Sequence, residues 1–108
     1  MPNWSAWNDG THLQSGDGYG IAIPLEDRDR YFQRGWHSIE IEFPGLKLVT
    51  VEVDEPSLWA DTTPVLVGKG IGVWLIKNGL APWSKKSGPP RIGVQMQEGY
   101  LTVLSIVR

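Results

Sequence analysis

The sequence predicts a mainly β domain, a small open barrel of about six or seven mostly antiparallel strands with two short α-helices. Three observations carry that expectation. Residues 38–54 alternate apolar and polar side chains about a Pro-Gly pair, two further strand-like runs end the chain, and only two segments have helical character. Two short helices among strands joined by tight turns point to a barrel rather than to a parallel β–α–β sheet.

The elements follow in order. Residues 1–17 read as a polar arm, and "NDGTHLQSGDGYG" (8–20) holds four glycines and a row of hydrogen-bonding side chains. "GYGIAIP" gives a short strand ended by Pro24. Residues 25–34, "LEDRDRYFQR", suit a helix. Glu26, Asp27 and Asp29 lie early and Arg30 and Arg34 late, the order the helix dipole favours. Leu25, Tyr31 and Phe32 form its apolar side, and Gly35 stops it.

The hairpin is the clearest signal. Ile39, Ile41 and Phe43 alternate with Ser38, Glu40 and Glu42, and beyond the turn Val49, Val51 and Val53 alternate with Thr50, Glu52 and Asp54. Pro44-Gly45 fits the centre of a type II turn, with glycine where φ must be positive. A loop, 55–63, leads to a strand at 64–67. Ile71, Trp74 and Leu75 then share one helical face, and Asn78-Gly79 ends that helix with Leu80 as the capping contact. A proline-rich loop, 81–90, precedes strands at 91–97 and 100–107, joined at Glu98-Gly99.

At 108 residues, 41% hydrophobic and 20% charged, the chain suits a single domain, 1–108, with a core of its own. No apolar run reaches the roughly 18 residues of a membrane span, and the opening residues lack the pattern of a secretory signal. The chain has no cysteine, which excludes disulfides, thiolate metal sites and a cysteine nucleophile. A monomeric, intracellular (cytoplasmic) protein is the expectation. Net charge is −2, against a default attraction to phosphates.

Enzyme signatures fail on context. Gly16, Gly18 and Gly20 precede a strand, whereas a dinucleotide fingerprint follows a strand and opens a helix. There is no P-loop, the spacing of Asp9 and Asp17 is not that of an EF-hand, and His12 and His37 are too far apart for a local metal motif. Glu40, Glu42, Glu52 and Asp54 are read as a solvated sheet face, with Lys47 or arginines of the first helix as candidate partners, rather than as acid–base machinery. The expectation is a non-enzyme with no cofactor and no metal. Among the six tryptophans, Trp74 falls on the apolar helix face and Trp36 and Trp83 at the barrel rim. Trp4, Trp7 and Trp59 lie outside any apolar period. They are candidates for a partner, or for tying the arm to the barrel.

Two segments, "SAWNDGTHLQSGDGYGIAIPLEDRDRYF" and "PVLVGKGIGVWLIKNGLAPW", resemble landmarks of the DNA-binding pseudobarrel domains. The first matches a polar Gly-rich arm, a strand ending in Ile-Pro and a short helix with late aromatics. The second matches a helix opened by Gly70 and Trp74-Leu75 and closed by Asn78-Gly79-Leu80. That family includes recognition domains of some restriction endonucleases and DNA-binding domains of plant auxin-response factors. The resemblance implies sequence-specific binding of double-stranded DNA by two arms in the major groove, as the recognition module of a restriction or regulatory system.

Carried over, the arms are 7–19 and 55–63. The base contacts implied are Asn8, Thr11, His12, Gln14, Ser15, Asp17 and Tyr19 from the first, and Ser57, Trp59, Asp61 and Thr62 from the second. Asn and Gln suit adenine edges, and Asp suits the cytosine amino group. Neither arm contains Arg or Lys. Phosphates therefore fall to Lys69, Lys85, Lys86, Arg91 or the arginines of the first helix.

A second reading stands beside this one: a small Trp-rich β-module for carbohydrate or peptide, favoured by the acidic pI and polar loops. A third is a protein-interaction domain that docks through strand edges. The discriminating feature is placement. Cations around the two arms favour DNA, whereas Trp4, Trp7 and Trp59 lining a neutral groove favour sugar.

Overall fold

The computed structural model describes residues 3–10, 15–45 and 48–107. The chain runs β1 (Asn3–Asn8), β2 (Tyr19–Ala22), α1 (Leu25–Tyr31), β3 (Ser38–Glu42), β4 (Val49–Glu52), β5 (Val65–Val67), α2 (Lys69–Lys77), β6 (Arg91–Gln97) and β7 (Tyr100–Val107). One seven-stranded sheet of order β4-β3-β7-β6-β1-β2-β5 curls into a nearly closed barrel. Every neighbouring pair is antiparallel except β3 with β7. The mainly β class, the open barrel and the two helices are those the sequence predicts. No described helix is long and apolar enough to cross a membrane.

The hairpin pairs Ile39 with Val51 and Ile41 with Val49, and Ile39, Ile41, Phe43, Val51 and Val53 are buried as the alternation requires. Gly45, with φ +75°, occupies the left-handed turn position expected of it. Helix α2 buries Ile71, Trp74 and Leu75, and Trp74 stacks on Phe43 with centroids 4.6 Å apart. Its end is a complete Schellman motif: Leu80 N–H donates to Leu75 O, Gly79 N–H donates to Ile76 O, and Gly79 has φ +69°.

Two elements differ from expectation. Residues 3–8, read as part of the arm, form β1, a central strand between β6 and β2. Trp4 and Ala6 point into the core, while Ser5 and Trp7 face outward. An outward Trp7 breaks the apolar period, which is why the strand is hard to see in the sequence. Helix α1 ends at Tyr31, three residues short of the predicted end, because Phe32 turns extended and inward against Trp4 and Trp36. Leu25, assigned to its apolar side, is 40% exposed, and the buried residue is Arg28.

Candidate functional site

The 9–18 loop leaves the barrel at the Asn8/Tyr19 end of the β1–β2 pair, and Asp9 N–H donates to Gly18 O to extend that ladder. It is docked rather than slack. Gly16 is buried at φ +90° against α2, and a Cβ added to Gly72 would lie 2.1 Å from the Gly16 carbonyl oxygen. Only glycine at both positions permits this backbone-on-backbone approach. Within the loop, Gly10 N–H donates to Asn8 Oδ1 and the Ser15 hydroxyl donates to Asp17 Oδ2. Both residues remain on the protein's periphery. Thr11, His12 and Gln14 lie outside the described residues.

The 55–63 loop returns at the other end of β2, where Ala22 pairs with Val65. It too is pinned. Leu58 is in the core, and Arg28, 6% exposed, donates from Nη1 to Leu58 O at 3.2 Å and to Ala60 O at 2.7 Å. The Arg28 and Arg34 guanidiniums lie over the Trp59 ring, 5.0 and 4.6 Å from its centroid. Asp61, Thr62 and Thr63 are exposed.

Two predicted base contacts are corrected by these positions. Tyr19 is 0% exposed and meets Trp83 edge-on at 5.7 Å, so its ring cannot reach a base; burial also raises its hydroxyl's pKa. Trp59 donates its indole N–H to Val53 O, so its hydrogen-bonding edge is spent within the fold. Ser57 is half-buried, and its carbonyl accepts Val65 N–H.

The cations missing from both loops arrive from elsewhere. Lys69 Nζ, at the start of α2, is 3.8 Å from Asp17. Trp83 rests on Tyr19 and Ala6 N–H donates to Pro90 O, and the turn between them carries exposed Lys85 and Lys86. At the opposite end, Arg91 pairs with Ser5 on the outer face and lines a groove with Thr62, Thr63, Ala22 and Leu25. Arg34 adds a charge on the 55–63 loop. The sequence offers the first-helix arginines as phosphate contacts, but the seat of Arg34 on Trp59, 25 residues on, leaves no local signal. The two ends are divided by the four residues of β2, about 10 Å of strand.

Of the tryptophans offered to a neutral groove, Trp4 is 1% exposed and Trp59 is covered by arginines. Trp7 alone faces outward, opposite Gly20.

Acidic groups gather at the end of β4 and the start of the 55–63 loop. Exposed carboxylates of Glu52, Asp54 and Glu55 bring ligand-type oxygens within 4.8 Å of one another, and His37 Nδ1 lies 3.2 Å from Asp54. Glu42 and Glu40 flank Tyr100 on the neighbouring strands, and partial desolvation followed by the Glu42 charge raises the phenol's pKa.

The Glu55 carboxyl is held above the ordinary glutamate range, first by hydrogen bonding to Glu52, then by desolvation and by the charges of Glu52 and Asp54. A carboxyl raised on folding stabilises the fold while protonated, and that contribution is lost as pH rises through its folded pKa. Glu55→Gln is therefore expected to unfold at a higher temperature than the parent at pH 7, with the gap closing below the glutamate range. A gap of equal size at pH 4 and pH 7 would contradict the pairing.

Comparison with known protein families, curated proteins and solved structures returned no match.

Proposed function

We propose that the domain binds double-stranded DNA sequence-specifically, gripping the major groove between the 9–18 and 55–63 loops. The observation that carries this reading is the placement of charge. Two polar loops without a cation of their own have Lys69 beside Asp17 at one end of β2 and Arg91 and Arg34 at the other. The separation of about 10 Å is close to the roughly 12 Å width of the B-DNA major groove. Between the loops the outer face presents Trp7 beside the small residues Ser5, Gly20 and Ala22. Asn8, Ser15, Asp17, Asp61 and Thr62 remain the base readers, with Thr11, His12 and Gln14 assigned from sequence alone. Loss of Trp4 and Trp59 as exposed platforms removes the main support for sugar binding.

The test is selection from a randomised duplex pool at low salt. A short enriched motif is expected, with log affinity falling against log salt with a slope of about −3 to −4, since few phosphates are neutralised. Lys85→Ala and Lys86→Ala should weaken all sequences alike and each reduce the slope by about 1. Gly72→Ala, which displaces the 9–18 loop without deleting a side chain, should erase the motif while leaving non-specific binding. No enrichment and no mobility shift at low salt would end the reading.

A further inference from the structure

The barrel is not closed by hydrogen bonds. Strands β4 and β5 are the two ends of the sheet order and face each other across a groove of about 450 Å³ lined by Thr50, Val51, Glu52, Glu55, Ser57, Val67 and Gly68. The ladders show which backbone groups this leaves outward. Val53 N–H donates to His37 O in the β3–β4 register, so Val49, Val51 and Val53 turn their backbone groups to β3, and Thr50 and Glu52 turn theirs to the groove. On β5, the bonds Ile23 N–H to Pro64 O and Gly68 N–H to Tyr19 O set Leu66 toward β2 and Val67 toward the groove. Among the described residues, no backbone bond joins β4 to β5.

An edge of this kind is a template for strand addition. It is also charged. Glu52 and Glu55 form one wall, Asp54 lies within 4.8 Å of both, and no lysine or arginine lines the groove. Neighbouring His37, exposed and paired with Asp54, is the nearest basic group of that wall. We infer that the β4 edge binds an extended basic peptide segment, which adds as a strand to Thr50 and Glu52 and places alternate Lys or Arg side chains against Glu52 and Glu55. The site borders the 55–63 loop, to which Glu55 and Ser57 belong, but does not rest on the DNA-binding reading.

The probe is a capped heptapeptide of alternating lysine and valine, titrated into the isotopically labelled domain at low salt, with a glutamate–valine peptide as its counterpart. Amide shifts are expected at Thr50, Glu52 and Val67, with affinity falling as salt rises. The acidic peptide should bind at least about tenfold more weakly. Thr50→Pro removes an N–H that β3 does not use, which an edge strand tolerates. It should weaken the basic peptide about tenfold or more at an unchanged unfolding temperature, while Thr50→Ala binds as the parent does. If Thr50→Pro unfolds the domain, Glu52→Gln with Glu55→Gln supplies the same comparison through charge. Absence of shifts at about millimolar peptide, equal binding of the two peptides, or shifts that grow with protein concentration alone (a second copy on the edge) would each overturn the inference. Thr50→Pro leaves the DNA-facing loops intact, so failure here and failure of DNA binding are separately readable.

Discussion

Arg28→Ala should cost the domain about 3 kcal/mol, a fall in unfolding temperature of about 13 °C for a chain of this size. The guanidinium is 6% exposed and its Nη1 serves two carbonyls, those of Leu58 and Ala60, on a segment 30 residues away. Truncation leaves both acceptors without that donor in a largely dry site, worth about 1–3 kcal/mol each before relaxation. It also removes one of the two cations over Trp59. The 3.0 Å pair with Asp29 adds little, because Asp29 is 62% exposed and screened by water. Arg28→Lys should recover only a small part, since an ammonium on a shorter stem lacks both the reach of Nη1 and the planar face that lies over Trp59. Arg34→Ala makes the contrast: exposed, it should leave stability within about 0.5 kcal/mol of the parent and act on DNA affinity instead. Denaturant titration of the three variants reads all of this, and an Arg28→Ala protein within about 1 kcal/mol of the parent would refute the pinning of the 55–63 loop.

That arginine illustrates what the sequence conceals. Position 28 sits among alternating acidic and basic residues and reads as a solvated helix face, because nothing local says that a loop 30 residues on will lie across it. The hairpin, α2 and the β6–β7 pair are legible for the opposite reason. Each is fixed by a period or a turn residue inside a short window: Val49, Val51 and Val53 against the sheet pleat, Ile71, Trp74 and Leu75 against the helix turn, and Gly99 at φ +74° between paired Gln97 and Tyr100. The candidate site was half legible on the same grounds. The polar loops are written in consecutive residues, whereas the cations beside them come from the segment after α1, from α2 and from β6. Tyr19 went wrong because it borders the polar run in sequence yet begins a strand whose inward positions are Tyr19, Ile21 and Ile23.

The second large effect belongs to the opening residues. Trp4→Ala should destabilise by about 3–5 kcal/mol, whereas Trp7→Ala should cost under about 1 kcal/mol. Both lie in β1, an odd number of residues apart, so the pleat sends them to opposite faces. Trp4 is 1% exposed, lies 6.2 Å from Phe32 and donates its indole N–H to Asp27 at 2.9 Å, tying the strand to α1. Its removal opens a cavity in the core and strips Asp27 of that donor. Trp4→Phe keeps most of the packing and loses the bond, so an intermediate cost of about 1–2 kcal/mol is expected. Trp7 faces outward opposite Gly20, where no side chain competes for space, and its truncation exposes only the sheet surface. A flexible arm would give two small and similar losses, and a register slipped by one residue would exchange them. Equilibrium denaturation of the pair therefore decides between an arm and a central strand. With β1 as that strand, Trp7 is an outward aromatic beside Asn8 on the surface offered to a ligand.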